Sequence, residues 1–166
     1  MADSLLGLDG RTVLVIGAGP GIGSACAGVA SRAGARVVAL EFAQERATAT
    51  ARAITERGGE AVPYVANVLD DDQLRTAIGA VDEDFGGIDG VISVVGGSTW
   101  LPSLDLETSD FDHDYRLNLR YFFVPPRRLP GPRSPGTGVP RSPRSPRSTG
   151  SAAPRTTSAT APLRPA

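Results

Sequence analysis

Short apolar runs alternate along this chain with longer stretches patterned at helical spacing. Residues 12–16 (Thr-Val-Leu-Val-Ile) lie between Gly10 and Gly17 and are almost wholly apolar, as expected of a parallel strand buried on both faces. Beyond a glycine-rich turn, Ile22, Ala25, Cys26, Val29, Ala30 and Ala33 recur at helical intervals and predict the buried face of a first helix, which Gly34 ends. Residues 36–40 predict a second strand ending at Glu41, and 43–57 an Ala-, Glu- and Arg-rich second helix closed by Gly58-Gly59. A third strand is expected at 61–65. A third helix is expected to open at Asp70 to Asp72 and to pack through Leu74, Ala77, Ile78, Val81 and Phe85 before Gly86-Gly87. Gly90 to Val95 predict a fourth strand. A fourth helix from about Ser109 carries Phe111, Tyr115, Leu119 and Phe122 at helical spacing.

Strands that alternate with helices in this way form a parallel sheet with right-handed crossovers. The expected strand order is 3-2-1-4, with a ligand at the carboxyl ends of the strands, where the order reverses at strand one.

The pattern stops near Val124, at Pro125-Pro126, because a double proline ends a helix. Charge divides the chain at the same place. Residues 1–124 hold nine Arg and all eighteen acidic residues, whereas 125–166 hold eight Arg, no acid and eleven of the fourteen Pro. The tail repeats Arg-Ser-Pro, has no aromatic residue and has too little apolar surface to offset roughly 1–2 kcal/mol of backbone ordering per residue. The division is therefore 1–124, an incomplete α/β domain, and 125–166, a disordered Pro/Arg/Ser-rich tail. Its residue types are those of an out-of-frame reading of a GC-rich gene. Taken at face value, the eight Arg could bind nucleic-acid phosphates and the serines among them could be phosphorylated, although an inert solvated tail is the simpler expectation.

One Cys excludes an intrachain disulfide, and one His leaves little for a metal site, so no metal is expected. No apolar run approaches the roughly 18 residues that span a bilayer, and no secretory pattern opens the chain; the expected compartment is the cytoplasm.

The chemistry lies in the turn Gly17-Ala18-Gly19-Pro20-Gly21-Ile22-Gly23. The first N–H groups of a helix lack intrahelical partners, and aligned peptide dipoles add about half a positive charge there. Glycines let that backbone approach a pyrophosphate with no Cβ in the way. The spacing is G-x-x-x-G-x-G through Gly17, Gly21 and Gly23, after a strand and opening a helix. Glu41 lies eighteen residues beyond Gly23, at the end of strand two. A carboxylate there accepts from both ribose hydroxyls of NAD and repels the 2′-phosphate of NADP. Neither Pro20 nor Phe42 supplies a compensating charge, so NAD is favoured.

Over about residues 7–124 these features resemble the short-chain dehydrogenase/reductase family. The resemblance rests on Gly17-x-x-x-Gly21-Ile22-Gly23, Glu41, Asn67-Val68, Asp89, Ser93-Val94-Val95-Gly96 and Asn118-Leu119. It implies a Rossmann-like doubly wound parallel sheet, truncated after about four strands. It also implies that Asn67 and Val68 hold the adenine, that Gly96 lies near the nicotinamide-side ribose, and that Asn118 is the helix-four asparagine of the catalytic tetrad. Three positions depart from the family pattern: Ile16 replaces its usual Thr, Asn67 its Asp, and Ser93-Val94-Val95-Gly96 its Asn-Asn-Ala-Gly.

The family's Tyr-x-x-x-Lys supplies the general acid/base and the lysine that lowers its pKa. Here Tyr64, Tyr115 and Tyr121 are followed four residues on by Val68, Leu119 and Pro125, and there is no lysine. The resemblance therefore implies an oxidoreductase-family chain, acting in intact relatives on small carbonyls or alcohols, without its catalytic pair. The alternatives are a dinucleotide-binding module without turnover, or nucleic-acid binding through the tail. Strand four and the apolar face of helix four would be left open to self-association.

Cys26 reads as a small core residue. His113, between Asp112 and Asp114, reads as part of a solvated acidic first turn. Asp70-Asp71-Asp72 reads as a helix cap rather than a cation site. Trp100 and Leu101 follow strand four, where the family binds substrate, but local packing explains them equally well.

Overall fold

The computed structural model describes residues 6–124. The expectations for the tail, whether of disorder, frame or phosphate binding, fall outside the described residues.

Four parallel strands form one sheet: β1 (Thr12–Ile16), β2 (Arg36–Glu41), β3 (Glu60–Val65) and β4 (Gly90–Ser93), in the order β3-β2-β1-β4. The register places Val13 beside Val37 on one side and Gly90 on the other. Every residue of β1 is buried, and β2 is buried beyond Arg36. The apolar runs record that double burial.

Alternate side chains of the central strands enter two separate cores. Val13, Val15, Val37 and Ala39 pack with Ala27 and Ala30 of α1 (Ile22–Arg32) and with Ile54 of α2 (Gln44–Thr55). Leu14, Ile16, Val38 and Leu40 pack with Leu74, Ile78 and Val81 of α3 (Asp71–Phe85), and with Tyr121 and Val124. Thus α1 and α2 cover one face and α3 the other. The switch of face accompanies the reversal of strand order at β1, and it opens a crevice above the strand ends.

Local chemistry sets the boundaries. Asp70 caps α3 by accepting the N–H groups of Asp72 and Gln73, and Gly86 ends the helix in the left-handed conformation. Asp89 accepts the Thr12 N–H at 2.8 Å and so ties the start of β4 to that of β1.

Several expectations need correction. Helix α2 occupies Gln44–Thr55 rather than 43–57, and β4 ends at Ser93 rather than Val95. The buried face of α1 is Gly23, Ala27 and Ala30, whereas Ile22 is 74% exposed, Val29 is exposed and Cys26 is only half-buried. Small residues win that face because α1 lies close to the sheet, and a Cβ at Gly23 would strike the Gly17 backbone. The fourth helix, α4 (Thr108–Asn118), is followed by a 3-10 turn, Arg120–Phe123, rather than running on through Phe122. Its expected face of Phe111, Tyr115, Leu119 and Phe122 is exposed, and Tyr121 and Val124 reach the core instead. Trp100, in the loop after β4, is also exposed.

An ion pair fixes this last segment. Arg120 donates twice to Asp71, at 2.6 and 2.5 Å, joining the 3-10 turn to the first turn of α3. The Arg120 hydrogen bonds hold the Asp71 carboxyl below the usual carboxylate range. A carboxyl depressed on folding contributes fully above its unfolded pKa of about 3.9 and loses that contribution as pH falls through the folded value. Denaturation curves taken at falling pH should show Asp71→Asn starting less stable at neutral pH, then losing less than the wild type below about pH 4.

Candidate nucleotide site

The Gly17–Gly23 turn leaves the carboxyl end of β1 and opens α1. Gly17 and Gly21 adopt positive φ values of 81° and 108°, which a Cβ would disfavour. The Leu40 carbonyl accepts the Gly17 and Ala18 N–H groups at 2.9 and 3.1 Å, binding the turn to the end of β2. Among the described residues no side chain caps α1. By helix geometry its first N–H groups point out of the turn toward the crevice, where the dipole favours an anion.

Thr50 of α2 braces the turn from outside. Its buried hydroxyl donates to the Ala18 carbonyl at 2.6 Å. Thr50→Val keeps the shape but orphans that carbonyl, so it should lower stability by about 1–3 kcal/mol in urea denaturation.

Beside the turn, Glu41 is only 5% exposed. Its carboxylate accepts the Gly19 N–H at 2.9 Å and the Phe42 N–H at 3.2 Å. The acid is thereby aimed at the turn.

A cleft of about 510 Å³ opens over the strand ends. That is within the range of small-molecule and cofactor sites. Gly17, Gly19, Ile22, Gly23, Glu41, Asn67, Val68 and Gly96 are among the residues that line it. Two of the expected residues do not line it. Gly21 is exposed at the head of α1. Asn118 instead ties α4 to the loop after β4: its Nδ2 donates to the Gly97 and Asp114 carbonyls at 2.6 and 2.7 Å, and its Oδ1 accepts the Gly97 N–H at 3.1 Å. The Asn67 amide oxygen accepts the Leu69 N–H at 3.0 Å, which leaves it a second lone pair.

The loop after β4 has its own support. Tyr121, 3% exposed, hydrogen-bonds the Ser93 hydroxyl and donates to the Val95 carbonyl at 3.1 Å. Asp114 accepts the backbone N–H and hydroxyl of Thr99 at 2.9 and 3.2 Å, and the backbone bond leads in lowering its pKa. Asp114 therefore anchors the loop; among the described residues no cluster could hold a metal ion.

Sequence reasoning missed Arg46. Its guanidinium lies over the Phe42 ring, 5.4 Å from the centroid, and 4.0 Å from the Glu41 carboxylate. The available signal was its place in the first turn of α2, because helical side chains lean back toward the helix N-terminus.

The profile of the family described as short chain dehydrogenase matches residues 11–127. A D-threitol dehydrogenase of Mycolicibacterium smegmatis is 32% identical over 117 residues, 70% of this chain and 45% of the relative. A versicolorin reductase of Emericella nidulans is 36% identical over 120 residues, again 70% of this chain and 45% of the relative. The fold is shared with a hydroxysteroid dehydrogenase from Escherichia coli at a TM-score of 0.67 and 29% identity, covering 70% of this chain and 49% of that one. It is shared equally, at 0.67 and 29%, with a 7α-hydroxysteroid dehydrogenase complexed with NADH and 7-oxo glycochenodeoxycholic acid, covering 70% of this chain and 46% of that one. The chain spans about half the length of these relatives. Among the described residues no helix is long and apolar enough to cross a membrane. On the match of sequence, sheet order and glycine turn together, the chain belongs to the short-chain dehydrogenase/reductase family.

Proposed function

We propose that residues 1–124 are the dinucleotide-binding half of an NAD-dependent alcohol/carbonyl oxidoreductase, and that this chain holds the cofactor without transferring hydride. The observation that carries the reading is the buried Glu41 carboxylate on the Gly19 N–H, beside an uncapped helix N-terminus. Pyrophosphate would lie on the head of α1, the adenine between Asn67 and Val68, and the adenosine ribose against Glu41. Gly96 would face the other ribose. Asn118 is in this reading a positioning residue for the loop at Gly96 and Gly97. The bound cofactor would supply hydride chemistry, and the Tyr-x-x-x-Lys pair that exploits it in the family does not occur in these 166 residues.

Titration of the purified chain with NADH, followed by its fluorescence, tests the binding. A dehydrogenase assay over small alcohols and carbonyls tests the silence. Saturable NADH binding without turnover is expected. Absence of binding sinks the reading, and measurable hydride transfer overturns its second half.

The outer edge of β4 has no strand partner among the described residues, and Phe111, Leu119 and Phe122 expose an apolar patch on and just beyond α4. Both features suit a second polypeptide. Size-exclusion chromatography should show concentration-dependent association, reduced by Phe111→Glu.

A further inference from the structure

Two hydroxyls form a relay behind the loop that follows β4. The Tyr121 hydroxyl donates its single proton to the Val95 carbonyl at 3.1 Å. The Ser93 hydroxyl bonds the same phenolic oxygen and must therefore be the donor there. Tyr121 is buried in the core that faces α3, so the relay holds the Val95 carbonyl from the core side. The peptide that carries this carbonyl also carries the Gly96 N–H. In a trans peptide the two point in opposite directions, and the Gly96 N–H turns away from Tyr121. Among the described residues it has no hydrogen-bond partner. On either side of it the backbone is held: the Val94 N–H donates to the Ile16 carbonyl at 3.0 Å, and Asn118 bonds both the N–H and the carbonyl of Gly97. Gly96 is exposed and, like Val95, lines the cleft.

We propose that Tyr121 is a positioning residue that aims the Gly96 N–H into the cleft, as a hydrogen-bond donor to an oxygen of the nucleoside beyond the pyrophosphate. This rests on the dinucleotide reading, which puts Gly96 beside that half of the ligand. Tyr121 touches no ligand itself; it acts through the orientation of one peptide. Without its hydroxyl the Val95 carbonyl loses its partner, and the peptide is free to rotate and carry the Gly96 N–H off the ligand. Pro125, not lysine, stands four residues beyond Tyr121. This buried phenol thus serves binding rather than proton transfer.

The test uses the full chain with NADH and ADP as probes, NADH followed by fluorescence and ADP by calorimetry. ADP stops at the pyrophosphate, short of Gly96. Tyr121→Phe keeps the ring in the core and removes only the hydroxyl. It should weaken NADH by about tenfold, the scale of one hydrogen bond, and leave ADP unchanged. Ser93→Ala removes the donor behind Tyr121. It should weaken NADH severalfold with ADP again unchanged, and add nothing in the Tyr121→Phe background. In nitrogen–proton spectra of the wild type, the Gly96 amide should shift on NADH and stay in place on ADP. The Ser93→Ala and amide measurements decide the matter where Tyr121→Phe fails to fold. NADH and ADP weakened in parallel, neither weakened, or a Gly96 amide indifferent to NADH overturns the proposal and leaves the dinucleotide reading standing. Failure of the wild type to bind NADH removes that reading and this one with it.

Discussion

Gly23→Ala is expected to abolish NADH binding and to lower folding stability by about 2–3 kcal/mol, the upper range for forcing atoms into a packed site. A Cβ there would overlap the carbonyl oxygen of Gly17, and the Gly17 carbonyl carbon and Ala18 Cα are close behind it. All of these are backbone atoms of the turn, so no side chain can rotate aside. Either α1 moves off the sheet or the turn opens, and both displace the N–H groups that would meet the pyrophosphate. Gly79→Ala is the matching control. It lies within α3, a Cβ there would meet nothing within 4 Å, and it should stabilise by roughly 0.5–1 kcal/mol. Urea denaturation and NADH titration of the two variants separate backbone crowding from generic loss of a glycine. A Gly23→Ala protein that binds NADH like the wild type would refute the assigned role of the turn.

Leu14→Ala is expected to cost about 2–5 kcal/mol, the range for truncating a fully buried leucine. Leu14 is completely buried at the middle of β1, between Val38 and Val91 in the sheet register. It belongs to the core facing α3, which also receives Tyr121 and Val124. The neighbouring strands on both sides limit how far the sheet can relax into the vacated space. Since small domains are stable by about 5–15 kcal/mol in all, this change alone should shift the urea midpoint by a large fraction. Val29→Ala, on the exposed side of α1, should shift it far less. Comparable midpoints for the two variants would contradict the placement of the core.

The fold was legible because its signals were backbone rules written in composition. β1 is buried on both faces and so reads as an apolar run, Asp70 announces the start of α3, and glycines mark the helix ends. Alternation and crossover handedness called for a parallel sheet, and the order β3-β2-β1-β4 followed from the resemblance to a doubly wound dinucleotide-binding fold. Choosing helix faces by hydrophobicity failed where packing follows size. Gly23, Ala27 and Ala30 face the sheet in α1, while Ile22 is left to line the cleft. It failed again at α4, where the chain tightens into a 3-10 turn and rotates Tyr121 inward past Phe122. At the site, the turn was legible because it is one contiguous motif, and Glu41 because it ends an apolar strand. Thr50 and Arg46 were not, because each acts from α2 on a turn about thirty positions earlier, through a side-chain direction that spacing does not encode.

The tie between Asp89 and Thr12 spans 77 residues. The β1–β4 pairing it anchors is the most distant in the sheet, and contacts of such sequence separation form slowly because loop closure precedes their reward. The cleft needs both strands, since Gly17 on one side faces Val94 and Val95 on the other. An intermediate with β1, β2 and β3 assembled would carry the glycine turn and Glu41 and still lack the far wall. Competence to bind would then arrive with the last long-range step of folding, so the recovery of NADH binding after dilution from urea times the docking of β4 rather than the collapse that precedes it.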